Sequence, residues 1–425
     1  MKNKNFYKIR KCRICDTRSL IQVVDLKKQF IQGSFIHKDY PKPYMNKIPL
    51  KLVLCKKCSL LQTSHTVNKK LLYSNYWYSS GINHTMKVHL RDLANEILKF
   101  LKKRKDKKIL DIGCNDGTLL SFFGKNLKKF GIDPSQIAKS ISNKEIRVFR
   151  DFFPPKNSAL KMMKIKFDII TSIAMFYDID DPNNFVKKIK FYLDDKGIWV
   201  FELSYLVDMI KQNSFDTICH EHLEYYSISS INFLLCQNNL KLIKVTKNLI
   251  NGGSIRCYVT HKENKSYDDY RNFNLIKKLI LTEKKLKINS TGFYKKFYSR
   301  ILNIKKKLRS KIKTLNKQKR KIYILGASTK GNTILQFMDV DKSYIQYAIE
   351  RNKNKIGAKT IGSDIRIIGE DFIKKNPPDY MLVLPWHFKK EIIQREKKYL
   401  KNGGKLIFPL PKFKIVSYKN FKNEK

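Results

Sequence analysis

The chain has 425 residues, 42% hydrophobic and 12% aromatic, which is too long for one ordinary domain and too apolar for a disordered chain. Its formal charge of +52 comes from lysines spread along the whole length among many Asn, Ile, Tyr and Phe. That is the pattern of a biased genome rather than of an aromatic-interleaved basic stripe, so no nucleic-acid partner is expected, and the remaining positive field favours phosphate-bearing substrates.

No run of about 18 apolar residues is present, so no membrane span is expected. The basic stretch Met1 to Lys11 has no apolar run behind it, so no signal peptide is expected either and the chain reads as cytoplasmic. The first 75 residues carry two CxxC pairs, Cys12 with Cys15 and Cys55 with Cys58. Each CxxC places two thiolates on one tight knuckle, and two knuckles complete a tetrahedral zinc site. Short β-like pieces at Leu20 to Leu26 and Leu50 to Leu54 are expected to bring the second knuckle back to the first. Unliganded thiols or a redox pair are the alternatives. Four thiolates leave no open position for water, so such a zinc is structural.

A helical pattern at about Thr85 to Leu101 opens a second segment, residues 76–265. Lys108 to Leu120 then reads as a buried strand, a glycine turn and a helix start, and Phe130 to Asp133 ends a second strand on a carboxylate. This is a doubly wound nucleotide-binding unit, with Asp133 placed to accept hydrogen bonds from a ribose. The turn runs D-x-G-x-x-x-G and lacks a pyrophosphate cradle, which suits the cationic methionine end of S-adenosylmethionine. Further strands are predicted near 148–153, 167–172 and 197–202, giving a mostly parallel sheet.

Substrate chemistry is expected after that sheet, where Cys219-His220-Glu221-His222 concentrates ionisable groups. In an extended segment His220 and His222 would share a face while Glu221 points away. Histidine is the side chain best matched to taking a proton near neutral pH, although a structural histidine satisfies the same spacing. Gly252-Gly253 precede a β-like run containing Arg256, and the two glycines allow either close ligand approach or an ordinary turn. Residues 266–319 are Lys-rich with helical spacing and read as solvated helices linking domains. Residues 320–425 restart a strand–glycine turn–helix pattern, in which the Gly326 turn and Lys330 could hold a phosphate.

In that order, the paired CxxC, D-I-G-C-N-D-G-T-L-L, D-T-I-C-H-E-H-L-E-Y-Y-S, G-G-S-I-R and G-A-S-T-K-G resemble the deoxysugar C-methyltransferases of nucleotide-sugar pathways over nearly the whole length. The resemblance implies an α/β protein, with a class I methyltransferase Rossmann-like core flanked by a zinc-binding module and a second Rossmann-like domain. It implies transfer of a methyl group from S-adenosylmethionine to the carbon beside the ketone, C-3, of a nucleotide-diphosphate 4-keto-deoxysugar. Asp111, Gly113, Asn115, Asp116 and Gly117 would line the methionine end of the cofactor, Asp133 its ribose, and Asp151 and Phe152 its adenine. Glu221 and His222 would be the acid–base pair, with Tyr78 in the active site and His220 as the next candidate. Tyr76, Tyr177, Gly253, Arg256, Lys330 and Trp386 would face the substrate. Some relatives carry Tyr where this chain has Cys219 and His where it has Phe176-Tyr177-Asp178, and both positions are expected at the sugar pocket.

Other readings are an O- or N-methyltransferase on another small molecule, a zinc-containing RNA methyltransferase, and a non-catalytic nucleotide-binding scaffold. Ser172 to Tyr177 lacks the N/D-P-P-Y/F pattern of amine methylation, and a scaffold does not need His and Glu beside a cofactor pocket. A monomer and a dimer fit the sequence equally.

Overall fold

The computed structural model describes residues 5–73, 81, 84–101, 106–156, 159–161, 163, 165–267 and 270–421. The N-terminal module contains β1 (Phe6–Lys8), β2 (Leu20–Gln29), β3 (Phe35–Ile36), β4 (Ile48–Cys55), β5 (Leu61–Thr63) and β6 (His65–Val67), followed by the short helix α1 (Lys69–Tyr73). β2, β4 and β5 form an antiparallel sheet whose β2–β4 pairing sets Leu20 opposite Cys55. The second knuckle is thereby brought back to the start of β2.

The central domain comprises α2 (His84–Leu98), β7 (Lys107–Ile112), α3 (Thr118–Ser121), β8 (Leu127–Ile132), β9 (Ile146–Phe149), β10 (Phe167–Ile173), α4 (Pro182–Tyr192), β11 (Leu193–Ser204), α5 (Leu206–Lys211), β12 (Glu224–Tyr225), α6 (Ile228–Gln237), β13 (Leu240–Asn248) and β14 (Ser254–His261). Among the described residues its sheet runs β13-β14-β11-β10-β7-β8-β9. The strands β7 to β11 are parallel, whereas β14 lies antiparallel to both β11 and β13. A strand covered on both faces reads as a continuous apolar run, and the central stretches Ile109-Leu110, Ile169-Ile170 and Ile198 to Phe201 do. Ile109, Ile169, Ile198 and Val200 pack with Leu90 and Leu93 of α2 on one face. Their neighbours Leu110, Ile170, Trp199 and Phe201 pack with α4, α6 and the zinc knuckles on the other. The β13–β14 hairpin has no counterpart in the sequence reading, which saw only the β14 run.

The C-terminal part holds α7 (Tyr270–Lys285), α8 (Thr291–Lys317), β15 (Ile322–Leu325), α9 (Thr329–Met338), β16 (Tyr347–Ile349), β17 (Lys359–Thr360), β18 (Arg366–Ile368), β19 (Tyr380–Val383), β20 (Lys405–Phe408) and β21 (Lys414–Val416). Its described sheet runs β21-β20-β19-β15-β16-β18-β17-β3, so β3 of the first module closes one edge. In return β12 of the central domain extends the N-terminal sheet by pairing with β5. Two sheets therefore cross the expected boundaries. The helices of 266–319 also differ from a solvated linker. Tyr294, Phe297, Ile301, Ile304, Leu308, Ile312 and Leu315 lie at three- and four-residue spacing on α8 and are buried against the C-terminal sheet and β2. The lysine run is the outer face of a core helix.

Candidate active site at a three-way junction

The two knuckles have matching geometry. Each turns through a left-handed residue, Asp16 at φ 56° and Ser59 at φ 60°, just past its second cysteine. The four Sγ atoms lie within 4.8 Å of one another, with Cys12 and Cys58 3.5 Å apart and Cys15 and Cys55 3.4 Å apart. A zinc with bonds of about 2.3 Å sets tetrahedral sulfurs roughly 3.8 Å apart, so the cluster fits that ion with little adjustment. Gln62 Nε2 donates to Cys12 Sγ at 3.3 Å, as an outer-shell donor to a thiolate does. Thiol bonds from Cys55 and Cys58 pull the Cys12 proton affinity down, while sharing with Cys12 pushes Cys55 and Cys58 up. A dication is what lets all four be thiolates at once.

The cofactor candidates gather at the carboxyl ends of β7, β8 and β9. Gly113 and Gly117 both sit at φ 75°, a conformation that β-branched and bulky residues avoid, and they let the loop fold back so that Gly113 N donates to Ile132 O. Asp133 accepts from the amides of Asn115 and Ser135 at 2.9 and 2.8 Å, one on each oxygen. Each oxygen keeps a further lone pair. Asp116 accepts from Gly81 N at 2.6 Å and from Thr118. Asp111 is buried and accepts from Thr171 Oγ1 at 2.6 Å; burial, reinforced by nearby Asp133, pushes its carboxyl up to about 7. The loop and the strand ends beside it thus bring together three carboxylic groups, Asp111, Asp116 and Asp133, with no Lys or Arg between 113 and 118, which fits a cationic ligand. Asp151 follows β9 with its oxygens taken by Phe152 N and Lys156 N, and Lys69 Nζ lies 5.6 Å from the centre of the Phe152 ring.

The His-Glu-His segment leaves the 3-10 turn Phe215–Thr217 and is bent rather than extended. The two histidines consequently do not share a face, contrary to the sequence expectation. His220 is buried towards the N-terminal module, its Nδ1 2.8 Å from Gln32 Oε1 and its Nε2 3.3 Å from Ile48 O. Both ring nitrogens are enclosed, which removes His220 from the candidates for a substrate base. His222 instead places Nδ1 2.7 Å from Thr217 O, so that nitrogen carries the proton and Nε2 keeps its lone pair. Burial lowers its pKa to about 4; the Thr217 carbonyl opposes this and nearby Lys330 adds to it. Tyr177 packs edge-on against the imidazole, with ring centres 4.4 Å apart. Glu221 is 7% exposed, accepts from Gly33 N at 2.9 Å on Oε1, and among the described residues has no nitrogen or oxygen partner on Oε2. Burial raises its pKa, and Cys219 is buried beside it.

The C-terminal domain closes the third side. Trp386 Nε1 donates to buried Asp216 Oδ2 at 2.8 Å. Burial holds Asp216 up and Lys330 down, with each charge opposing the other's shift. Lys330, in the first turn of α9, therefore lies near Asp216, His222 and His387. Gly252 faces Trp386, where an added Cβ would come within 3.4 Å of the indole. Gly253 does not open on this space: at φ 115° it packs on α5, and a Cβ there would come within 2.9 Å of the Asp208 side chain. Arg256 is corrected as well. Its Nε binds Glu202 at 2.9 Å and its Nη1 binds Glu96 at 2.8 Å, in a buried network that includes His89 and Tyr258. Tyr76 and Tyr78 lie outside the described residues. A separate groove of about 1560 Å³ beside β1 and α4 holds none of the candidate catalytic groups. Gln32, Gly33, Asp216 and Thr217 are contributors given no role from the sequence; Asp216 and Thr217 open the D-T-I-C-H-E-H-L-E-Y-Y-S segment, whereas no motif marks Gln32 or Gly33.

Three family models match consecutive stretches: "Putative zinc binding domain" over residues 12–73, "Methyltransferase domain" over 82–245, and "C-methyltransferase C-terminal domain" over 249–411. The chain is 24% identical to C-methyltransferase NovU of Streptomyces niveus over 412 residues, covering 96% of this chain and 97% of that one. It is 27% identical to the malonyl-[acyl-carrier protein] O-methyltransferase of Halalkalibacterium halodurans over 150 residues, 32% of this chain and 54% of that protein. Among solved structures, an S-adenosylmethionine-dependent methyltransferase from Clostridium acetobutylicum aligns at 14% identity and TM-score 0.33, over 41% of this chain and 92% of that one. The four-cysteine cluster coincides with the zinc-binding match and the glycine loop with the methyltransferase match. With these three matches in series, the chain is an S-adenosylmethionine-dependent methyltransferase with a zinc-binding N-terminal module, similar over nearly its whole length to a C-methyltransferase.

Proposed function

We propose that the chain methylates the carbon beside the ketone, C-3, of a nucleotide-linked 4-keto-deoxysugar. The observation that carries this reading is His222, a neutral imidazole with its tautomer fixed by Thr217 and, among the described residues, no hydrogen-bond partner on Nε2, next to a buried carboxyl whose Oε2 has no nitrogen or oxygen partner there. A carbon accepts a methyl group only after it becomes nucleophilic. Beside a ketone, His222 Nε2 takes the α-proton, the C–H pair moves into the enolate, and negative charge develops on the ketone oxygen. Tyr78 donates a hydrogen bond to that oxygen. Glu221 Oε2 accepts from a sugar hydroxyl, which holds the α-carbon towards His222. Bound S-adenosylmethionine supplies the electrophilic methyl group.

In this reading Asp111, Gly113, Asn115, Asp116 and Gly117 hold the methionine end of the cofactor, Asp133 the ribose diol, and Asp151 with Phe152 the adenine. Tyr76, Tyr177, Lys330 and Trp386 hold the nucleotide sugar, and the net positive charge favours its diphosphate. Mass spectrometry of methyl transfer across a panel of nucleotide keto-sugars tests the proposal. One methyl group on a ring carbon is the expected product. Transfer only to oxygen or nitrogen acceptors would overturn it.

A further inference from the structure

We infer that the loop between β2 and β3 of the zinc module positions the catalytic carboxyl, with Gly33 as the residue that sets Glu221. This rests on the role proposed above for Glu221. Gly33 N donates to Glu221 Oε1 at 2.9 Å, and a Cβ on Gly33 would come within 2.2 Å of that oxygen. Gly33 is not among the residues at positive φ, so its backbone does not demand glycine. The demand is space for the carboxylate. That bond fixes one oxygen and, among the described residues, leaves buried Oε2 with no nitrogen or oxygen partner, the Cys219 thiol lying beside the carboxyl.

The loop is itself held from both sides. Gln32 Oε1 accepts from His220 N at 3.1 Å and lies 2.8 Å from its Nδ1. From the C-terminal domain, Asn332 Nδ2 donates to Gln32 O at 2.8 Å and to Ser34 O at 3.2 Å. Gln336 Oε1 accepts from Phe30 N at 2.8 Å. All three domains thus meet on five residues of the zinc module, and Gly33 passes their arrangement to Glu221. Gly33 is a positioning residue, since it acts through the carboxyl.

The obstructed atom is the end of a flexible side chain, so Gly33→Ala displaces the carboxylate at little cost to the fold. An ångström-scale misplacement of a substrate-holding group slows turnover by up to about 10²-fold. A double-mutant cycle on kcat tests the role, using Gly33→Ala, Glu221→Ala and the pair in full-length zinc-loaded protein. Gly33→Ala should lower kcat about 10- to 100-fold while melting temperature and cofactor affinity stay at wild type. In the Glu221→Ala background it should change kcat less than about twofold. Wild-type turnover in Gly33→Ala, or multiplicative losses in the pair, overturns the inference and leaves the sugar reading standing. Should the wild type methylate no keto-sugar, the sugar reading fails, and the inference is read from the infrared carboxyl band assigned by Glu221→Gln. A band unmoved by Gly33→Ala would overturn it there.

Discussion

Asp133 ends β8 with one backbone amide on each oxygen, and these bonds hold the glycine loop to the strand. Its remaining lone pairs are the ones a ribose diol would use. Asp133→Ala should weaken cofactor binding by about 1.5–3 kcal/mol, the range for losing a hydrogen bond to a charged group. Unchanged affinity by calorimetry would move the cofactor elsewhere. Asp111 gives a pH test. Burial lifts its pKa to about 7, so the unliganded protein keeps a proton there below that pH. A cationic ligand favours the ionised form, so binding near pH 6 should release up to about one proton, and affinity should rise with pH until it levels off above 7. Calorimetry in buffers of different ionisation enthalpy reads that release, and none at pH 6 contradicts the placement. The spacing from glycine turn to acidic strand end made this carboxylate cluster legible in sequence. The roles of His220 and His222 were not separable, because a bend after Thr217, rather than residue parity, sends one ring to Gln32 and the other to Thr217.

At the scale of elements, strands buried on both faces were readable from their apolar runs, and the strand predicted near 167–172 is β10 at Phe167–Ile173. α8 was readable as a helix but not as core, because its lysines dominate the composition while seven apolar residues form the inner stripe. Leu308 on that stripe is fully buried, so Leu308→Ala should cost about 2–5 kcal/mol in denaturant unfolding. A cost under about 0.5 kcal/mol, typical of a surface site, would return α8 to a linker role. The zinc knuckles are tied to the rest of the chain through β5, since Gln62 meets both Cys12 Sγ and, across the ladder, Glu224 of β12. Purified protein should hold about one zinc per chain with sulfur-only scattering, and chelation should lower the melting temperature and methyl transfer together. Metal-free protein with native stability would rule out a structural role.

Over the whole molecule, the order of five motifs carried the architecture, but no local pattern signalled how the domains interlock. β3 completes the C-terminal sheet and β12 the N-terminal one, so the site is assembled from segments about 300 residues apart in sequence, such as Gly33 and Lys330. Long-range pairing of two-residue strands leaves almost no trace in periodicity. The central claim is that this junction makes a carbon nucleophilic by removing its proton at His222, a step that requires no methyl donor. Incubating the enzyme with a nucleotide 4-keto-deoxysugar in heavy water, without S-adenosylmethionine, isolates that step. Wild-type protein should wash deuterium into the α-carbon, and His222→Ala should slow the exchange by about 10²–10⁴-fold. Exchange by His222→Ala at the wild-type rate would contradict the account.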